Sequence, residues 1–201
     1  MNRLHFRVLA LCLTISGMAA PVFAQSPKAE VSGGYQFLNV STTDQNESMP
    51  LGWYFDVSGN LNRTLGIVFQ VGGNYKTFEE SFSIGGITST TTANLKVHEF
   101  LGGVRLNANS GATIVPFGQV LVGGMNGSAR VTSSTTLPGS EPIAFSGADS
   151  GTNFGLEAGG GINFGLTSGL GLRAGADYLR VFAEGGGVNL FRFHIGIVLG
   201  R

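Results

Sequence analysis

Apolar and polar residues alternate along most of this chain, in separate segments of about ten to twelve residues. Segment 51–62, for example, places Trp53 and Phe55 on one side and Tyr54 and Asp56 on the other. This period of two is that of an extended strand, whose neighbouring side chains point to opposite faces of a sheet. Helical periodicity is absent. The pattern therefore predicts an all-β protein.

The alternation delimits eight strand segments. They lie at 29–40, 51–62, 65–76, 95–106, 112–125, 153–166, 170–181 and 189–200. Segment 112–125 is apolar on both faces, so its phase is assigned from Gln119, which places Val120 and Val122 on the apolar side. Neighbouring segments joined by short turns are predicted to form antiparallel hairpins.

The connections between these segments alternate in length. Short turns are predicted near 62–64, 107–111 and 167–169, a Gly-rich connection at 183–188, and long polar stretches at 41–50, 77–92 and 126–152. Short turns at one end and long loops at the other are typical of bacterial transmembrane barrels, and tilted strands of this length cross the hydrocarbon layer. Apolar residues within the long stretches predict strands that continue beyond the membrane as hairpins; they are Phe78, Phe82, Ile84, Ile143 and Phe145.

The first 24 residues have the pattern of a secretory signal peptide. Arg3 and Arg7 form a positive start, residues 8–20 are apolar, and small residues up to Ala24 offer a cleavage site before Gln25. We therefore expect an exported mature domain of residues 25–201. No later run of about 18 apolar residues predicts a membrane-spanning helix.

Composition and charge exclude further classes of partner and site. Charged residues make up 12% of the chain, about half the share in an ordinary soluble domain. The net charge is zero, so nucleic acid is not an expected partner. The single cysteine, Cys12, falls in the predicted signal peptide, so we expect no disulfide, thiolate metal site or cysteine nucleophile in the mature domain.

The cost of placing charge in lipid decides which face of the predicted barrel points outward. Arg105, Arg173 and Arg192 would each cost about 2–4 kcal/mol near the membrane midplane. Their sum approaches the whole stability of a domain, about 5–15 kcal/mol. The charged face is therefore predicted to line the interior. Closure into a barrel also satisfies the backbone hydrogen-bonding groups and removes the sheet edges.

An eight-stranded barrel has an interior just wide enough for side chains to fill it. We predict a packed polar plug in which four carboxylates pair with four cations, because unpaired buried charges are costly. The predicted network comprises Asp56, Lys76, Glu99, Arg105, Glu157, Arg173, Asp177 and Arg192.

Counting antiparallel partners across two connections predicts two contacts within this network. Across 183–188, Asp177 falls close to Arg192, and His194 is expected to join them. Across 107–111, Glu99 falls close to Gln119.

Aromatic residues gather toward the long-loop ends of the segments, as the outer aromatic girdle of a membrane barrel does. The predicted lipid-facing girdle comprises Tyr35, Phe37, Trp53, Tyr75 and Tyr178. A soluble β-sandwich is the alternative fold, because its core also uses inner-face aromatic residues. Extraction from membranes by detergent alone, with heat-modifiable gel migration, distinguishes the barrel.

Several short stretches add a resemblance to this pattern. They are Gly33-Gly34-Tyr35, Pro116-Phe117-Gly118 and the closing run from Phe191 to Leu199. Together with the signal peptide and the eight strands, they make residues 25–201 resemble the bacterial outer-membrane β-barrel family, meaning the OmpA-like and OmpX-like small barrels. The closing strand of that family usually ends polar-x-Gly-x-x-apolar-x-aromatic. Here His194, Gly196 and Leu199 match, whereas Arg201 replaces the terminal aromatic residue.

The resemblance implies a monomeric protein of the outer membrane of a Gram-negative-type bacterium, exported by the Sec route and inserted by the barrel assembly machinery. It implies contact with outer-membrane lipid and lipopolysaccharide, and a structural or surface-interaction role with an extracellular partner at the loops. One alternative is a narrow, gated porin-like channel for ions or small solutes, opened when the lumen ion pairs exchange partners. Another is a lipid A-modifying barrel enzyme.

We expect no enzymatic activity, no cofactor and no metal. His98 stands beside Glu99, but alternation sends the two side chains to opposite faces of the strand. His5, His98 and His194 are too scattered to form a metal site. The glycine run 159–161 lacks the strand-turn-helix context of a phosphate-binding loop.

Overall fold

The computed structural model describes residues 29–41, 46–108, 112–183 and 186–200. Nearly all of them belong to nine strands: β1 (Ala29–Ser41), β2 (Asn46–Met49), β3 (Leu51–Asn60), β4 (Leu65–Ile84), β5 (Ile87–Asn107), β6 (Ile114–Thr136), β7 (Ile143–Gly165), β8 (Leu170–Ala183) and β9 (Gly186–Leu199). The predicted signal peptide, 1–24, and Arg201 lie outside the described residues. No helix in the described part of the chain is long and apolar enough to cross a membrane.

The strands form one closed antiparallel sheet. From β3 to β9 each strand pairs with the next, and β9 returns to pair with β1. β2 and β3 both pair with β1 and form one barrel strand that is interrupted at Pro50, which has no N–H to continue the ladder. The predicted eight-stranded, up-and-down antiparallel barrel is therefore confirmed, and part of the predicted loop 41–50 is strand.

Alternation distributes residues between the lumen and the outer surface as the sequence predicts. Arg173 is fully buried, whereas Phe69 is 69% exposed on the outward face. The phase of β6 is also confirmed, because Gln119 is 4% exposed while Val120 and Val122 are 49% and 44% exposed. Around the middle of the barrel, charge thus lies inside and apolar surface outside, as a hydrocarbon environment requires.

Strands β4 to β7 extend well past the rest of the barrel. They hold 20 to 23 residues each, against 10 to 14 for β3, β8 and β9. The pairing of β3 with β4 ends at Leu51 and Tyr75, and in the described residues β7 pairs with β8 from Phe154 onward. Hairpins 77–94 and 127–152 therefore form a four-stranded sheet beyond the barrel, named the tip sheet below.

The tip sheet has local reasons to be strand rather than loop. Its many threonines favour extended backbone, and its first hairpin turns at Gly85 and Gly86, whose φ angles of 59° and 81° suit a two-residue turn. The predicted continuation of strands as hairpins is confirmed. The prediction that 77–92 and 126–152 are loops is wrong, because the strand ladder continues through most of both.

The lumen holds a cluster of apolar side chains as well as the charged ones, where the sequence predicts a single polar plug. On β1, β5, β6, β8 and β9, apolar side chains follow the last inward-facing polar one toward the tip sheet. The buried members of this apolar cluster are Leu38, Met49, Val68, Leu101, Leu121, Met125, Leu179 and Leu190. Apolar packing therefore lies between most of the charged side chains and the tip-sheet end of the barrel, whereas Val68 and Leu101 lie farther from that end than Gln70 and Glu99 on the same strands.

Candidate functional site

Arg192 is the centre of one half of the charged lumen network. Its Nη1 donates to Glu99 Oε1 at 2.6 Å, and its Nη2 donates to Glu157 Oε1 at 2.6 Å and to Asp177 Oδ2 at 2.7 Å. Strands β5, β7, β8 and β9 supply these four residues. Asp177 and Arg192 are direct partners across β8 and β9, as counting across the short connection predicts. One guanidinium thus holds three carboxylates.

Asp56 is the centre of the other half. Arg105 Nη2 donates to its Oδ2 at 3.2 Å, and Arg173 Nη1 donates to the same oxygen at 2.8 Å. The Ser32 hydroxyl donates to Oδ2 at 2.7 Å, and Arg173 also reaches Glu30 Oε2 at 3.1 Å. One carboxylate here serves two guanidiniums, the reverse of the arrangement around Arg192.

Phe117 packs against both cations of this second half. Its ring centroid lies 4.9 Å from Arg105 Cζ and 5.1 Å from Arg173 Cζ, within the range of cation–π attraction. Arg173 Nε donates in addition to Asn163 Oδ1 at 2.7 Å. The sequence points to Phe117 only as part of a short motif and does not indicate this contact.

Gln119 joins the two halves. Its Oε1 accepts from Arg105 Nη2 at 2.8 Å, and its Nε2 donates to Glu157 Oε1 at 2.8 Å. The predicted closeness of Glu99 and Gln119 in register is wrong, since Gln119 lies opposite Arg105 and Glu99 opposite Met125. The connection runs later in the chain than 107–111, because β6 begins only at Ile114.

Lys76 does not belong to the network, so the prediction of four pairs is wrong for this residue. Its Nζ lies 2.6 Å from Glu47 Oε2 and 4.3 Å from the centroid of the Phe78 ring. The inward phase of Lys76 is as predicted, but its strand position is level with β2, next to the tip sheet and away from the barrel middle.

Carboxylates outnumber cations in the observed network. Its three arginines contact five carboxylates: Glu30, Asp56, Glu99, Glu157 and Asp177. His194 adds to it, because its Nδ1 lies 3.1 Å from Asp177 Oδ2. The sequence places Glu30 on the inward face but offers no partner for it, because β1 and β8 meet only through closure of the barrel.

Comparison with known proteins agrees with this geometry. The sequence matches the outer membrane protein beta-barrel domain family over residues 10–199. The chain belongs to this family. It is an outer-membrane β-barrel protein of Gram-negative type, as the sequence predicts. No curated protein matches it.

Two solved outer-membrane proteins show the same fold. The attachment invasion locus protein Ail of Yersinia pestis is 16% identical, with a TM-score of 0.51 over 85% of this chain and 96% of Ail. Neisserial surface protein A is 11% identical, with a TM-score of 0.53 over 87% of this chain and 97% of that protein.

The aromatic residues predicted as a girdle lie on the outward phase of this outer-membrane barrel. Tyr35, Trp53 and Tyr178 are exposed, whereas Phe37 and Tyr75 are half-buried. Three of them are oriented by hydrogen bonds: the Tyr35 hydroxyl donates to Pro50 O, Trp53 Nε1 to Tyr75 Oη at 3.2 Å, and the Tyr178 hydroxyl to Asn189 Oδ1 at 2.8 Å.

His98 lies in the same outward cluster. Its Nε2 is 3.2 Å from Tyr75 Oη, while the neighbouring Glu99 is buried in the lumen beside Arg192. The barrel wall separates the two side chains, so they do not form an acid–base pair.

Proposed function

We propose that this outer-membrane protein acts at the cell surface, without enzymatic activity, by presenting the tip sheet on a barrel whose lumen is closed to solutes. The observation that carries this proposal is the contrast between the two ends of the molecule. Four strands extend past the barrel as a regular sheet, whereas the lumen below is filled by charged and apolar side chains.

The tip sheet is suited to recognition because it is ordered. The face that continues the outward side of the barrel, named the outer face below, carries hydroxyl side chains. These form hydrogen bonds across strands, such as Ser81 with Thr90 at 3.0 Å and Ser83 with Thr88 at 2.9 Å. A pre-formed sheet loses less conformational entropy on binding than a loop does. The two proteins that share this fold are named for attachment and for the bacterial surface, which agrees with this role.

Burial supports a closed lumen. Arg105, Arg173 and Arg192 are at most 1% exposed, so each guanidinium contacts protein groups rather than a continuous column of water. A conducting pore would need several of these short ion pairs to separate together. We therefore favour a plug over the gated porin-like channel.

Conductance distinguishes these two roles. We expect planar bilayers that contain the full barrel to show no steady conductance above that of the bare bilayer, while a porin added as a positive control conducts. Steady steps that change in size in an Asp177→Ala variant would contradict the plug and support the gated channel.

Outward-facing cations support contact with lipopolysaccharide. Lys96, Arg130 and Arg180 lie on the outward phase of β5, β6 and β8, toward the tip sheet, where anionic headgroups are expected. From the resemblance we also propose that the barrel assembly machinery acts on β9 when it inserts the protein, and that the protein is a monomer.

Removal of the tip sheet tests the surface role. We expect cells that carry a variant with 77–94 and 127–152 each replaced by a short turn to lose attachment to protein-coated surfaces, down to the level of cells without the protein. Heat-modifiable gel migration of the variant verifies that the barrel still folds. Unchanged attachment in a folded variant would contradict the surface role.

A further inference from the structure

The two faces of the tip sheet have different chemistry. Phe82, Ser89, Thr135 and Ile143 are successive cross-strand partners, and their row continues the phase that faces the lumen lower down. We name this side the inner face. Its apolar residues are Phe78, Phe82, Ile84, Ile87, Val131, Ile143 and Phe145. The outer face carries mainly serine and threonine.

The apolar side chains of the inner face are left open. Phe145 is 72% exposed, Ile84 65% and Phe82 64%, and nothing in the described part of the chain covers them. An outward apolar belt on the barrel is explained by lipid, but the tip sheet stands beyond the barrel. Large apolar side chains thus stand exposed at the two edges of one face, with Ser89, Thr91, Ser133 and Thr135 between them. Exposed apolar groups of this size in water mark an interaction surface.

Two carboxylates lie on the same face as the apolar residues. Glu80 and Asp149 lie on the inner face, and neither makes an ion pair with another described residue. The nearby Lys76 forms its ion pair with Glu47 instead. Segments 77–94 and 127–152 together contain four carboxylates and only one cation, Arg130, and the Arg130 side chain is on the outer face.

A second copy of the chain is a poor occupant for this surface. The inner face continues the phase that faces the lumen, so it is turned toward the axis of its own barrel and away from the inner face of a neighbouring barrel in the same membrane. Two such faces would also bring Glu80 and Asp149 of each copy against like charges, which opposes pairing.

We propose that the inner face binds a cationic, amphipathic polypeptide segment of another protein, with its apolar side chains on Phe82 and Phe145 and its lysines or arginines on Glu80 and Asp149. Burial of the aromatic residues supplies affinity, and the two carboxylates select a basic partner over an acidic one. This inference rests on the proposed surface role and specifies the chemistry of the partner.

The test uses the full chain in nanodiscs of zwitterionic lipid and a fluorescent 18-residue peptide of leucine and lysine in an amphipathic helical pattern. We expect the peptide to bind saturably to nanodiscs that contain the protein, and to bind them more strongly than it binds empty nanodiscs. A peptide with glutamate in place of lysine, and one with the same residues in scrambled order, should bind much more weakly.

Variants assign the binding to the inner face. We expect E80Q with D149N to raise the dissociation constant about fivefold, and F82S with F145S to raise it about tenfold. The matched control is E79Q, which removes the same charge from the neighbouring residue on the outer face and should change the constant by less than about twofold. Heat-modifiable migration verifies folding of each variant.

Three outcomes would overturn the proposal. These are no binding beyond that to empty nanodiscs, an equal loss of affinity in E79Q and in E80Q with D149N, and equal binding of the glutamate peptide and the lysine peptide. The last would indicate an apolar ligand such as a lipid chain. If these variants bind normally while removal of the tip sheet abolishes attachment, this inference fails and the surface role stands. If removal of the tip sheet leaves attachment unchanged, the surface role is contradicted, whether or not the peptide binds.

Discussion

Replacing Arg192 with alanine is expected to lower the free energy of unfolding by about 3–5 kcal/mol. Glu99, Glu157 and Asp177 all accept hydrogen bonds from this guanidinium at 2.6–2.7 Å, and all are nearly fully buried. Without it, three carboxylates remain close together with no arginine in contact. Urea titration of the barrel folded into lipid vesicles measures the loss.

Two further variants show that the loss comes from the network. Arg180 lies on the outer surface of β8 and bonds to Asn189, so Arg180→Ala should cost no more than about 1 kcal/mol. Glu157→Gln should be less harmful in the Arg192→Ala background than in the wild type, because it then removes an unpaired charge. A loss below about 1 kcal/mol in Arg192→Ala would show that the network does not depend on its central cation.

The second large effect is expected for Gly159→Ala, with a loss of about 1–3 kcal/mol. A Cβ at Gly159 would lie 2.2 Å from Asp177 Oδ1 and 2.5 Å from the backbone oxygen of Ala176. The carboxylate would have to leave its place beside Arg192, and the backbone of β8 would have to move away from β7. The same urea titration measures this loss.

Gly118→Ala is the matched control for this variant. Gly118 lies on β6, the other neighbour of β7, and the nearest atom to an added Cβ is Gly159 O at 3.8 Å. We expect a change within about 0.5 kcal/mol. Equal losses in the two variants would mean that the glycines matter for backbone flexibility and not for room inside the lumen.

Residues near short connections could be paired from the sequence. Asp177 and Arg192 flank a connection of few residues, so counting outward from it finds the correct partners. The same method fails for Glu99 and Gln119, because the longer connection before Ile114 shifts the centre of the hairpin. An error of position in a turn passes unchanged to every pair along the two strands.

Extended strands beyond the membrane were partly predictable. Apolar residues such as Phe82 and Phe145 indicate continued hairpins, yet serine, threonine and glycine between them suggest loops. Pairing with neighbouring strands decides the outcome, because each of the four strands completes the hydrogen bonding of the next. The two chemically different faces of the tip sheet follow from that register.

Which side chains face lipid and which face the lumen follows from the sequence, because alternation has a period of two and charge is too costly in hydrocarbon. The contacts between lumen residues, in contrast, depend on how the strands are assembled. Glu99 and Arg192 are 93 residues apart and bond at 2.6 Å, while Lys76, on the same inward phase, lies beyond their reach. Closure and stagger of the strands set these heights, and no local pattern encodes them.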